Sequence, residues 1–228
     1  MAFIGFTTET TEILMGIRMN NTKEWYQAHK EAYAAHVREP MVLLADECCA
    51  FMRGLDEGFT PRPKVSRPYR DTRFAANKDP IKTCIWFFLR NDASPGIQHD
   101  EPTYFFEISP DWWRMGLGYW PMKAAQMNAF RAKVAAAPEI AARLFSDAQE
   151  CFTLEGDMYK KPQKADGLQS EAAALFAYKN LTLIKYGQHD TSMCRRALLE
   201  EVCAGFKVLY PLYQYLLEAS RICTDTKK

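Results

Sequence analysis

Between residues 7 and 53 the apolar positions recur at helical spacing and predict three helices. The first opens on Thr7 or Thr8 as N-cap, carries Ile13, Leu14 and Ile17 on one face, and stops at Asn20-Asn21. Asn21, with Glu24 three residues on, predicts a capping box for the second, in which Trp25, His29, Ala32 and His36 recur until Glu39-Pro40 ends the run. Pro40 opens the third, with Val42, Leu43, Cys49 and Phe51, which ends near Arg53-Gly54. Pro61, Pro63 and Pro68 then mark an extended loop.

The period changes from about residue 64. Residues 85–89 and 103–108 are rich in aromatic and β-branched side chains and predict strands, and 112–120 predicts another. Turn signals at Asn91-Asp92-Ala93-Ser94-Pro95-Gly96 and Ser109-Pro110-Asp111 favour antiparallel hairpins. Ala-rich segments at 122–137 and 139–150 predict two helices, with a strand or turn near Phe152-Thr153-Leu154. The tail from about 191 to 221 predicts a long helix with Leu198, Leu199, Val202, Phe206 and Leu209 as its buried stripe, kinked or interrupted at Pro211. Helices, then strands, then helices predict a single α+β domain over residues 1–228: N-terminal helices, a central mostly antiparallel sheet, and C-terminal helices packed on it.

Composition fits this class: 228 residues, 48% hydrophobic and 25% charged, belong to a globular chain long enough to bury a core without disulfides or a structural metal. No signal-peptide pattern and no membrane-length apolar run is present, and seven cysteines with no C-x-x-C pair fit neither a disulfide framework nor a zinc ribbon. The reading is a cytoplasmic protein with reduced cysteines. A net charge of +1 excludes a polybasic binder and argues against nucleic acid or a membrane surface as partner.

That near-neutral total hides a local imbalance. Between 62 and 90 stand eight basic residues, Arg62, Lys64, Arg67, Arg70, Arg73, Lys78, Lys82 and Arg90, against only Asp71 and Asp79. The segment carries +6, leaving −5 for the rest of the chain. If Arg67 to Phe74 is a strand, its period of two puts Arg67, Tyr69, Asp71 and Arg73 on one face, and Arg70, Thr72 and Phe74 on the other. Two arginines so placed hold a phosphate or carboxylate, Tyr69 donates a hydrogen bond, and Asp71 orients a guanidinium or, with a raised pKa, moves a proton. The candidate catalytic residues are therefore Asp71 and Tyr69, and the candidate ligand-binding residues include Arg67, Arg70, Arg73, Lys78 and Lys82. The competing reading makes Asp71 the centre of a structural ion network with Arg67 and Arg73.

Several of these blocks resemble one family, the conserved hypothetical proteins of DUF2461. Asn20-Asn21-Thr22-Lys23-Glu24-Trp25-Tyr26 resembles its N-N-x-x-x-W-F signature, and Arg67-Pro68-Tyr69-Arg70-Asp71-Thr72-Arg73-Phe74 is similar to its R-x-Y-R-D-x-R-F block. Lys78-Asp79-Pro80-Ile81-Lys82-Thr83 continues that block, with Ile81 where the family usually carries Tyr. Tyr104 to Ile108, Gly116 to Pro121, Leu154 to Asp157 and Lys160-Lys161-Pro162 resemble later segments, the last in degraded form. The resemblance covers about residues 6 to 217 and brings Asn21 into the ligand-binding candidates; it implies no activity.

Other constellations carry less. His29 and His36 are seven apart, about 10 Å along a helix, which suits a metal poorly. Gly116-x-Gly118 lacks the third glycine of a dinucleotide site and reads as a turn or strand bend. Trp112, Trp113, Tyr119 and Trp120 read as core or pocket wall rather than a stacking platform. Tyr213 and Tyr215, read as exposed, are candidates for a dimer face. No cofactor or metal is expected. Two readings stay open: an anionic small-molecule site on the Arg/Asp-rich strand, with or without turnover, and a non-enzymatic module whose Arg/Asp network is structural or binds nucleic acid or an acidic protein.

Overall fold

The computed structural model describes residues 2–73, 75–91, 101–119, 122–161, 165, 167–168, 170–189 and 193–225. The turn expected at 91–96 falls outside them after Asn91, as do Phe74, Trp120 and Pro162.

Helix α1 (Thr8–Met19) forms as expected. The buried Thr10 hydroxyl accepts from Thr7 N–H at 3.1 Å and donates to His36 O at 2.6 Å, fixing the start of the helix to the chain packed beside it. Helix α2 (Lys23–Ala28) is capped by Thr22, whose hydroxyl accepts from Trp25 N–H; Asn21 is not the cap. The single helix expected from Asn21 to Glu39 divides at His29, and its second part does not stop at Pro40. Helix α3 (Lys30–Tyr33) passes through one π turn (Ala34–Arg38) directly into α4 (Glu39–Leu55). Pro40 lies in the first turn of α4, and the wider π turn ahead of it accommodates a ring that a regular α turn would exclude. Val37, Met41, Leu44, Ala45, Cys48 and Met52 then form an unbroken buried stripe.

Six strands make one antiparallel sheet in the order β1-β2-β3-β4-β6-β5. These are β1 (Pro61–Val65), β2 (Ile85–Asn91), β3 (Thr103–Ile108), β4 (Trp112–Gly118), β5 (Thr153–Glu155) and β6 (Thr182–Gln188). The strand expected over 112–120 forms as β4 and takes in Gly116 and Gly118, read as a turn or strand bend, while the expected proline loop contains the edge strand β1. Ser66 N–H donates to Trp86 O at 2.8 Å, so alternation aims the Lys64 and Arg62 amides at β2 and puts the nitrogens of Pro63 and Pro61 on the open edge.

The chain divides into two compact units, one of Met1–Ala93, Phe105–Met115 and Tyr186–Ala204, the other of Ser94–Tyr104, Gly116–Lys185 and Gly205–Lys228. In the first, α4 packs on β1 and β2. Ile85, Phe87 and Leu89 face this core, where Phe106 stacks with Phe6, Phe87 and Trp113. A β-carbon on Gly187 would overlap the Trp113 indole, whose N–H donates to Gln188 O at 3.1 Å. Truncating a ring such as Phe87 to Ala costs about 3–5 kcal/mol in such packing.

The second unit holds α5 (Ala124–Ala136), α6 (Pro138–Gln149), the short α7 (Ser170–Ala174), and most of α8 (Ala197–Asp225), which runs through Pro211 uninterrupted. Tyr213 and Tyr215 are buried rather than exposed: Tyr213 stacks on Tyr104 and Tyr215 meets Phe130 edge-on, so these two rings offer no dimer face. Trp113 and Tyr119 are buried as well, and the Tyr119 hydroxyl donates to Leu216 O at 2.7 Å. No helix among the described residues is long and apolar enough to cross a membrane.

Candidate functional site

Residues 66–84 leave the sheet between β1 and β2 and return to it. Arg70 N–H donates to Pro80 O and Lys82 N–H to Pro68 O, each at 2.8 Å, forming a single antiparallel bridge between Tyr69 and Ile81. Arg67 to Arg73 is therefore not a strand of the sheet, and the expected single face of Arg67, Tyr69, Asp71 and Arg73 does not form. Pro68 and Pro80 lack the N–H groups that would extend the ladder. Beyond the bridge, the Asp71 carboxylate folds back to accept from Arg73 N–H at 3.2 Å, which bends the chain into a turn.

Asn21 holds this excursion in place. Its side-chain N–H donates to Ile81 O and its carbonyl oxygen accepts from Ile81 N–H, both at 2.9 Å, so the amide substitutes for a neighbouring strand. Tyr69 packs edge-on against Tyr26, itself edge-on to Tyr33, and the Tyr69 hydroxyl accepts from Gln27 at 2.7 Å. Burial pushes the Tyr33 and Tyr26 phenols up.

Of the candidate ligand-binding residues, Arg67, Arg70 and Lys82 come together at the base of the excursion. Lys82 Nζ donates to Arg67 O at 2.8 Å and lies 5.6 Å from the Trp86 ring centre, while Arg70 Nε donates to Asp79 O at 3.1 Å. Burial pushes the Lys82 ammonium down, and the charges of Arg70 and Arg67 push it further. Among the described residues none of these three cations has a carboxylate partner. Arg73 and Asp71 sit further out as an exposed pair, Nη2 to Oδ2 at 2.7 Å, and Lys78 Nζ donates to Thr72 O at 2.9 Å. The Arg73 guanidinium beside it holds the Asp71 carboxyl down at about 2, the reverse of the raised pKa that proton transfer would need.

A carboxylate lies close by that the sequence reading passed over. Glu107 on β3 is only 8% exposed and takes Arg114 on β4, with both Nε and Nη2 at 2.6 Å from one carboxylate oxygen. Burial works against the Arg114 charge, but Glu107 and the Tyr186 hydroxyl outweigh it. Burial, with Glu107 as neighbour and hydrogen-bond acceptor, pushes the Cys84 thiol up to about 12. Trp86, Phe88 and Arg90 of β2 stack with Lys82, which precedes the strand, the rings of Trp86 and Phe88 being 4.3 Å apart with a cation at each end. The available signal was a charged residue inside the apolar run Tyr104-Phe105-Phe106-Glu107-Ile108.

His29 stacks on Trp25 with ring centres 3.9 Å apart, and its Nδ1 lies 2.8 Å from Trp25 O. Among the described residues no three or more His, Cys, Asp or Glu side chains are placed to hold a metal ion.

A search of curated proteins gives no match. The family described as conserved hypothetical protein (DUF2461) matches residues 9–215, which takes in all of α1 but Thr8, the Asn21 clamp, the 66–84 excursion, the whole sheet and most of α8. The chain belongs to the DUF2461 family.

Proposed function

We propose that this chain binds a small oxyanion, a phosphate or carboxylate group, at Arg67, Arg70 and Lys82. One observation carries the reading: three cations are gathered at the base of the 66–84 excursion, two of them oriented by backbone carbonyls, and none meets a carboxylate among the described residues. Such a cluster is repulsive by itself and gains most from an anion that accepts from all three. Tyr69 stands in the bridge beside them as a hydroxyl donor to the same anion. Asn21 positions the excursion, and Arg73 and Lys78, on its outer turn, add long-range attraction. Asp71 orients Arg73; this one pair fits the structural reading of the Arg/Asp network.

The test is calorimetric titration of the full chain with inorganic phosphate and with citrate, in parallel with Lys82→Met and Arg67→Met. Both variants remove charge while keeping an apolar stem. The expected result is saturable binding by wild type, weakened about tenfold or more in each folded variant, as for the loss of one charge-assisted hydrogen bond. Unchanged isotherms in both would sink the proposal.

A further inference from the structure

The second compact unit contains a buried cation with no carboxylate partner among the described residues. Arg131 on α5 is 4% exposed; its Nη1 donates to Asn128 Oδ1 at 3.1 Å, its Nη2 to Tyr178 O at 2.6 Å, and its Nε is buried without an acceptor. Arginine is rarely so buried unless paired, because a desolvated charge is costly. Arg131 lies 5.3 Å from the centre of the Tyr159 ring, and a second cation, Lys179, lies 5.4 Å from the same centre. Lys160 and Lys161 follow Tyr159 directly and are exposed. Asp157, two residues before Tyr159, is engaged by Asn180, whose side chain donates to its Oδ2 at 2.9 Å and accepts from its N–H at 2.9 Å. A backbone bridge between Met158 and Tyr178 fixes Tyr159 and Lys179 on adjoining segments.

We propose that Arg131 and Lys179, which both lie over the Tyr159 ring, form a second oxyanion site, for a phosphate group. Arg131 and Lys179 bring two positive charges to one ring, a repulsion that a bound oxyanion offsets. The guanidinium retains N–H groups on both Nη atoms beyond the two it has spent, so it can hold a phosphate while keeping α5 attached to Tyr178. Lys179, being exposed, supplies the entrance. The site shares no residue with the Arg67–Arg70–Lys82 cluster, and the one proposal stands without the other.

The experiment is calorimetric titration with inorganic phosphate of the full chain carrying Lys82→Met, and of Lys82→Met combined with Lys179→Met, both confirmed folded by circular dichroism. The expected result is that Lys82→Met still binds phosphate and that adding Lys179→Met weakens this binding about tenfold or more. Identical binding by wild type and Lys82→Met would remove the first site and support this one. Absence of phosphate binding in the Lys82→Met protein, or binding there that Lys179→Met leaves unchanged, would overturn it.

Discussion

The side-chain amide of Asn21 grips the backbone of Ile81 through two opposed hydrogen bonds of 2.9 Å, sixty residues away in sequence. Ile81 is fully buried, so removing the amide strands an N–H and a carbonyl without water to replace it. Asn21→Ala is therefore expected to destabilise the protein by about 2 kcal/mol, and Asn21→Asp by at least as much, because it sets a carboxylate against Ile81 O. Urea denaturation checks both. A loss confined to the range of surface substitutions, under about 0.5 kcal/mol, would show that the clamp is not formed in solution.

Asp71 is expected to stay ionised over the whole neutral range. Its carboxyl is held down at about 2 by Arg73, below its ordinary value near ~3.9. The sign follows: the ionised form favours the turn at and above the ordinary value, and the preference is lost as the pH falls towards about 2. An NMR titration following the Arg73 amide, which donates to Asp71, should give a midpoint close to the lower figure. A midpoint at the ordinary value would mean that the pair does not persist.

Glu107→Gln should be strongly destabilising, by about 3 kcal/mol, since it leaves Arg114 part-buried without its counter-charge. Combining it with Arg114→Met removes the stranded cation and should recover more than half of that loss. Denaturation of the single and double variants measures the coupling directly, and additive losses would contradict it.

Cys84 should resist alkylation at pH 7.5, because its thiol is pushed up to about 12, whereas Cys151 and Cys194 are exposed and should be modified first. Peptide mapping by mass spectrometry after brief iodoacetamide treatment decides the order.

Strands β3, β4 and β6 and helix α8 each supply residues to both compact units. We expect unfolding in one step, with near- and far-ultraviolet circular dichroism giving coincident thermal curves. Two separated transitions would establish two domains.

The parts of this fold that were legible in sequence are those in which local pattern and tertiary packing agree. α1, α5, α6, β2 and β3 stand where periodicity and turn residues put them. β1 was hidden because Pro61 and Pro63 argue against a strand, and only its edge position makes them tolerable. β6 carries Thr182, Leu183 and Ile184 as a strand signal that the sequence reading did not take up. The continuous helix through Pro40 was hidden because a π turn has no local signature. At the candidate site, the basic residues were found by counting charge. Their grouping was not, because Asp71 pairs within its own turn and the excursion is organised by Asn21, from a different part of the chain.

The two prolines of β1 have a further consequence for how copies of the protein meet. A sheet edge ordinarily presents a row of unpaired donors and acceptors on which a strand from another molecule can assemble, the first step of domain swapping or fibril growth. Along β1 the donors at Pro61 and Pro63 are missing from the outward side, while Arg62 and Lys64 spend theirs inward. An incoming strand finds carbonyls with no amides between them at these two positions. Restoring those amides, as in Pro61→Ala/Pro63→Ala, would turn a self-terminating edge into one that can propagate.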